Sequence, residues 1–470
     1  MSSRAQAAAG GDRAAVLARA GIAPEAAAAF LESPPRINGD FAADCAAFSP
    51  YWTQAAALRE GLPPKRARNA DQAVACALIL NAAREAREDF LARHVENLYR
   101  KLTGSFTRFV RAEDLVYEAA RAVPGLAPTA AEVQEEAKHP LKGKDGLEID
   151  QGILLSHIFA HGACGRHLCH AMLLPRPGSR ERLAELGSRG ALDFGAAAVS
   201  RLGRASLVEM KHPRFLNALD DTTLDAIEAA VDVAILDPMT AMAVLRGGCV
   251  DHPRHARVFS SGINLTRLYR GEISYLFYIK HILGFENKIL RGVAQPHRPP
   301  DEAIGATAEK PWIAAVDGFA IGGGCQHLLV MDYVLAASDA YLTLPARKEG
   351  IIPGAANMRL PRFTGDRIAR QAIMYGRRLD CDSPEGRLIC DEVVPPHDMD
   401  AALMRVIDAM TSSGVVSAVA NRRGFRVVQE PLETFLAYLA VYAREQAYCH
   451  FSPALIDNLE RYWDARNRNP

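Results

Sequence analysis

The sequence predicts an α/β protein in which an all-helical N-terminal region precedes a core of strands alternating with helices. Three observations predict it. The first part is rich in Ala, Leu, Glu and Arg with apolar residues at helical spacing, short β-branched runs begin after Asp193, and helical spacing returns from Met399. At about 150 residues per domain, 470 residues hold roughly three domains' worth of mass. The 55 Lys+Arg balance the 55 Asp+Glu, which leaves no basic footprint for nucleic acid. With 49% hydrophobic and 23% charged residues, the composition is that of a folded globular chain.

In chain order, the helical pattern is plain in Ala73 to Leu80 and in Phe90, Leu91, Val95 and Leu98. Pro34-Pro35, Pro63-Pro64, Pro128, Pro175 and Pro177 mark its breaks, since proline ends or kinks a helix. The helical domain is expected to span residues 1–190, closing near Gly187 to Gly190, with a frayed Ala-rich start. The core is expected over 191–398. Its strands are placed at Ala205 to Met210, Ala241 to Arg246, Trp312 to Val316 and Asp332 to Ala336, and its helices at Thr222 to Ala234, Ser274 to Leu290 and from Gly323. Residues 399–470 read as a C-terminal helical region for oligomerisation and active-site cover. No apolar run approaches the ~18 residues of a membrane span, and nine scattered cysteines show no disulfide framework, so a cytoplasmic protein with reduced thiols is expected.

Chemistry concentrates in three loops. Ile321-Gly322-Gly323-Gly324-Cys325-Gln326 follows a strand and opens a helix. Glycines there let a ligand approach backbone N–H groups, and the helix N-terminus adds partial positive charge. Alone, this is equally a tight glycine-rich turn. Phe259-Ser260-Ser261-Gly262-Ile263-Asn264-Leu265 is a second small-residue loop after an apolar stretch, and two such loops can each give one N–H to one carbonyl oxygen. The third segment is His212-Pro213-Arg214-Phe215-Leu216-Asn217-Ala218-Leu219.

In this order and spacing the three segments resemble the crotonase (enoyl-CoA hydratase/isomerase) superfamily over about residues 195 to 400. The resemblance implies a ClpP-like spiral ββα core with two near-perpendicular sheets, a CoA thioester substrate, and an oxyanion hole from the amides of Ile263 and Gly323, beside Gly324. It also implies that His212, Arg214, Phe215, Leu216, Asn217, Ser261, Gly262 and Asn264 line the CoA path, and that the chain forms trimers or pairs of trimers.

Hydratases of the superfamily resemble one another in carrying glutamates where this chain has Gln326 and Ala346. An amide and a methyl group cannot serve as acid and base toward water, so hydration and double-bond isomerisation are disfavoured. The runs Leu344 to Asn357, Arg362 to Arg367 and Cys381 to Gly386 resemble instead the cofactor-independent arylacetyl-CoA dioxygenases of the superfamily, which also place a helical domain first. This closer resemblance implies oxidation of 3,5-dihydroxyphenylacetyl-CoA or a close analogue by O₂, without metal or cofactor, as in dihydroxyphenylglycine and antibiotic biosynthesis. Ile351, Ile352 and Pro353 are the candidates for an oxygen pocket, and Gln326 for a hydrogen bond to the ring. Asp220 and His281 stand near the positions expected to hold ring hydroxyls, with Leu219 and Lys280 departing from the pattern. The alternative is a non-oxidative crotonase-type lyase or thioester hydrolase; a CoA-binding scaffold without catalytic acids is the third reading.

Other constellations are weaker. His157, His161, Cys164, His167, Cys169 and His170 lack the paired spacing of a structural zinc site and read as helix packing, so no metal is assigned. Ser260 and Ser261 lack a nucleophile elbow, and the glycine triplet lacks the dinucleotide fingerprint. Arg422-Arg423 and Arg377-Arg378 read as solvated faces.

Overall fold

The computed structural model describes residues 10–301, 305 and 307–467. The chain divides into two compact units: Met1–Gly165 with Leu439–Phe451, and Arg166–Tyr438 with Ser452–Pro470. In the first unit every element is helical. Its longest helix, Ala70–Leu102, starts at a capping box in which Asn69 and Gln72 satisfy each other's backbone N–H. Trp52 packs edge to face on Phe90 in its core, and Phe48 lies tilted against the same ring. His157 pairs with Glu88 at 2.6 Å and His161 faces Glu96 at 3.4 Å, so these two histidines serve separate contacts.

In the second unit, the helix Glu181–Arg189 stops at Gly190, whose φ of 74° provides the left-handed cap. A seven-stranded sheet follows. Its spatial order is Ala191–Asp193, Ala197–Leu202, Ala205–Met210, Met242–Gly247, Trp312–Val316, Tyr333–Ala337 and Glu392–Val394. The first three strands pair antiparallel and the rest parallel. The fully buried strands Met242–Gly247 and Trp312–Val316 are continuous apolar runs apart from Arg246, as central parallel strands require. A second sheet of Phe319–Ile321, Tyr341–Thr343 and Leu379–Asp380 carries the glycine loop at its edge.

The expected strands appear within a residue or two. The expected helix Ser274 to Leu290 does not run unbroken: Leu276–His281 gives way to a π-turn at Ile282–Glu286 before Asn287–Arg291. The Arg422-Arg423 pair is also not a solvated face. Arg422 is buried against Asp332 and Glu309, and Arg423 pairs with Glu309. All nine cysteines are free thiols. No single helix among the described residues is long and apolar enough to cross a membrane.

Candidate active site

The two glycine-bearing loops meet. Ser260 bridges to Ala320, with the Ile321 N–H donating to the Ser260 carbonyl at 2.9 Å. A Cβ on Gly262 would stand 2.6 Å from the Ile321 carbonyl and 3.3 Å from the Gly323 nitrogen, and its φ is +82°, so only glycine lets the loops touch. On the other side, the Leu219 N–H donates to the Gly262 carbonyl at 2.7 Å and the Asn264 N–H to the Leu219 carbonyl at 2.8 Å. Among the described residues the Ile263 N–H between them donates to no acceptor, and neither does that of Gly323, the first residue of the helix Gly323–Leu328. Two unused donors on contacting loops can hold one carbonyl oxygen and the negative charge that grows on it.

Gly324 seats the helix: its Cβ would lie 2.8 Å from the Ser260 Cβ. Ser260 Oγ donates to the Asn217 carbonyl at 2.8 Å and accepts from the Gly262 N–H, which makes it a buried loop staple. The third segment holds the other two. Leu216 and Asn217 both take left-handed φ, 53° and 56°, and the Asn217 amide donates to the Gly248 and Val258 carbonyls while accepting from the His212 N–H. His212 Nδ1 donates to the Ala218 carbonyl at 2.9 Å, and Ser261 Oγ to the Phe215 carbonyl at 2.9 Å. Arg214 is exposed, its guanidinium 5.5 Å from the Phe215 ring.

Asp220 is fully buried and fully engaged. Its carboxylate accepts from Thr222 Oγ1 (2.6 Å), Asn264 Nδ2 (3.0 Å) and Arg267 Nη1 (3.1 Å). The same Asn264 caps the short helix Leu265–Tyr269. Asp220 and Asn264 therefore brace the loop, with Thr222 and Arg267 on Oδ1 of Asp220 and Asn264 on Oδ2.

His281 lies elsewhere: a Cβ on Gly323 would be 3.6 Å from its Nε2 and Cε1 and 3.1 Å from Leu219 Cδ1. His281 is 5% exposed, stacks parallel on Phe277 at 5.9 Å, and its Nε2 makes no hydrogen bond. Burial pushes it down to about 4, leaving a neutral imidazole near neutral pH. Behind it stands a network that the sequence did not disclose. His327 Nδ1 donates to Glu286 Oε1 at 2.9 Å, Arg359 reaches Glu286 Oε2 at 3.3 Å, and Arg359 grips both oxygens of Glu430 at 3.0 Å. Burial works against Glu430's charge, but Arg359, Arg291 and Arg362 outweigh it and hold the carboxyl at about 2. Burial pushes Glu286 up and His327 down to about 3. His281, Glu286 and His327 bring three donor atoms within 4.8 Å, with the Glu286 oxygens already engaged by His327 and Arg359.

Gln326 is buried with its amide oxygen unbonded, and a Cβ on Gly354 would lie 2.0 Å from that oxygen. Ile351 and Ile352 are half-buried and Pro353 buried, directly preceding Gly354, whose carbonyl accepts from the Tyr438 hydroxyl. The structure thus gathers Ile263, Gly323, Gly324, Leu219 and His281 around one point, sets Gln326 and Pro353-Gly354 together, and gives His212, Asn217, Asp220, Ser261 and Asn264 to loop bracing.

The spiral core and its paired loop amides define a protein of the enoyl-CoA hydratase/isomerase class, and that family's pattern matches residues 302–434. The chain belongs to this crotonase family. It is 44% identical over 393 residues, 83% of this chain and 89% of the relative, to (3,5-dihydroxyphenyl)acetyl-CoA 1,2-dioxygenase of Amycolatopsis orientalis. A probable enoyl-CoA hydratase of Rhizobium meliloti is 26% identical, covering 52% of this chain and 86% of its own. Among solved structures, an enoyl-CoA hydratase from Mycobacterium avium subsp. paratuberculosis superposes with a TM-score of 0.47 at 20% identity, over 57% of this chain and 98% of that one.

Proposed function

We propose that this protein is a dioxygenase needing neither metal nor organic cofactor, which converts an arylacetyl-CoA, 3,5-dihydroxyphenylacetyl-CoA or a close analogue, and O₂ into the aryl-2-oxo acid and free CoA. One observation carries the reading. Two unused backbone donors, Ile263 and Gly323, stand ready for a thioester enolate, while the positions that would activate water hold Gln326 and Ala346. The likeness to the Amycolatopsis orientalis dioxygenase supports both the substrate class and the oxidant.

The reaction balances without an external electron donor. Loss of a Cα proton gives an enolate whose oxygen rests on the two N–H groups, and the carbanion passes electrons to O₂ and forms a Cα peroxide. The distal peroxide oxygen attacks the thioester carbonyl and CoA leaves as thiolate, taking up the first Cα proton; the second Cα proton is then lost, its electron pair forms the ketone C=O, and the O–O bond breaks to give the carboxylate of the 2-oxo acid. Ile351, Ile352 and Pro353 supply apolar surface for O₂, and Gln326, with its unbonded amide oxygen, suits a ring hydroxyl donor. Arg214, exposed on the CoA-path segment, suits a phosphate. Self-association as trimers or pairs of trimers belongs to the same reading, and a mass measurement in solution checks it.

The test is O₂ uptake by chelator-treated protein given 3,5-dihydroxyphenylacetyl-CoA, with CoA release and 2-oxo acid followed together. Equimolar uptake and release supports the proposal. CoA release without uptake replaces it with thioester hydrolysis.

A further inference from the structure

We propose that His281 is the base that removes the Cα proton of the acyl-CoA, and that Glu286, brought beside it by the π-turn, positions it and receives the imidazolium's charge. The inference rests on the enolate chemistry proposed above and names the group that starts it. In the step, the Cα–H bond breaks, the proton goes to the imidazole, and the electron pair becomes the enolate whose oxygen lies on the Ile263 and Gly323 N–H groups.

Position is the first argument. The face of Gly323 that a side chain would occupy is covered by Leu219 and by the His281 ring at 3.6 Å, so the imidazole borders the residue that supplies an oxyanion donor. A thioester oxygen on that donor places its Cα two bonds further out. The nearby alternatives fail chemically: Asp220 is bound by Thr222, Asn264 and Arg267, Asp221 by Ser274, and Gln326 carries no basic lone pair.

The second argument is the support built behind the ring. In a regular α-helix, residues five apart point ~140° from each other. Here the helix widens over Ile282–Glu286, with Gly284 at ψ −112°, and Glu286 Oε1 comes to 3.5 Å from His281 Nε2. Gly284 also lies where a Cβ would meet Glu228 Oε2 at 3.0 Å. A π-turn costs a regular hydrogen-bond pattern and recurs at functional sites. The groups facing the imidazole are Glu286, His327 and, beyond Glu286, Arg359; Phe277 and Phe285 enclose it. The unbonded Nε2 of a neutral, aromatic-walled histidine thus borders Gly323, with the Glu286 carboxylate 3.5 Å from the same nitrogen, where it can receive the charge of an imidazolium.

The experiment is anaerobic exchange of the Cα hydrogens of 3,5-dihydroxyphenylacetyl-CoA and phenylacetyl-CoA in D₂O, read by mass spectrometry, with thioester affinity measured in parallel. The wild-type chain is expected to exchange at least one of them. His281→Gln should slow exchange by about 100-fold or more with affinity changed less than about threefold, and His281→Ala should regain exchange on addition of free imidazole. Glu286→Gln should slow exchange about tenfold and leave affinity intact. Glu349→Gln serves as the comparison, because Glu349 is a buried carboxyl that burial lifts to about 7, and it should exchange at the wild-type rate. Exchange by His281→Gln within threefold of wild type, loss of exchange in Glu349→Gln instead, or binding without exchange in the wild type would each overturn the assignment. Exchange in the wild type without O₂ uptake would sink the dioxygenase reading and leave His281 as the base.

Discussion

His281 and Glu286, five residues apart, lie 3.5 Å from each other because the helix between them makes a π-turn. Glu286 is fixed from the other side by His327 and Arg359, so the ring's surroundings are set by three segments of the chain.

His281 and His327 should each lower stability as acid is added, while Glu349, lifted to about 7, works the other way. His281 and His327 are held at about 4 and about 3 by burial, against about 6.5 in an unfolded chain. Between those values the unfolded state binds protons that the folded state does not, so stability falls as pH falls from about 6.5 toward 4, by up to about 1.4 kcal/mol per pH unit for each histidine. Urea midpoints measured from pH 7.5 to 4.5 check this, and His281→Gln should flatten the slope.

Glu430 works in the same direction, in a lower pH window. Its carboxyl is held at about 2, so its contribution is complete above about 4.3 and disappears as pH drops through 2. Glu430→Gln should cost roughly 3–5 kcal/mol at neutral pH, because Arg359, Arg362 and Arg291 would keep buried charge without its carboxylate. Chemical denaturation of the variant measures the loss.

Gln326→Leu should separate stability from activity. It removes a buried amide oxygen that has no hydrogen-bond partner, so the melting temperature should hold or rise, since an unpaired buried acceptor costs about 1–3 kcal/mol. Turnover with a hydroxylated arylacetyl-CoA should fall at least about tenfold, and a matching fall in melting temperature would refute a substrate-facing role.

Gly324→Ala should abolish turnover in a folded protein. The new methyl would stand 2.8 Å from the Ser260 Cβ and 2.9 Å from the Ser260 carbonyl oxygen, so the helix carrying the Gly323 N–H must shift away from that loop. A loss of 100-fold or more in kcat with near-native circular dichroism is the expected result; removing one oxyanion donor alone costs about that much.

The sequence by itself determined the class of fold and pointed to the two loops that meet at the proposed backbone donors. Alternating strand and helix patterns, the glycine triplet at 322–324 and Gly262 are local signals, because a left-handed φ or a close backbone approach admits one residue type. Gln326 and Ala346 were legible through the family resemblance, as departures from the glutamates of its hydratases. What only the tertiary structure decided is how polar side chains are divided between bracing and chemistry. Asp220, which the family resemblance puts near the substrate, accepts from Asn264 and Arg267 in bracing the loop. The ring of His281 acquires Glu286 through a π-turn that no helical periodicity announces, and Arg359 acquires Glu430 from 71 residues away. Burial, hydrogen-bond satisfaction and charge pairing depend on which segments meet, and that meeting is set by long-range packing rather than by neighbours along the chain.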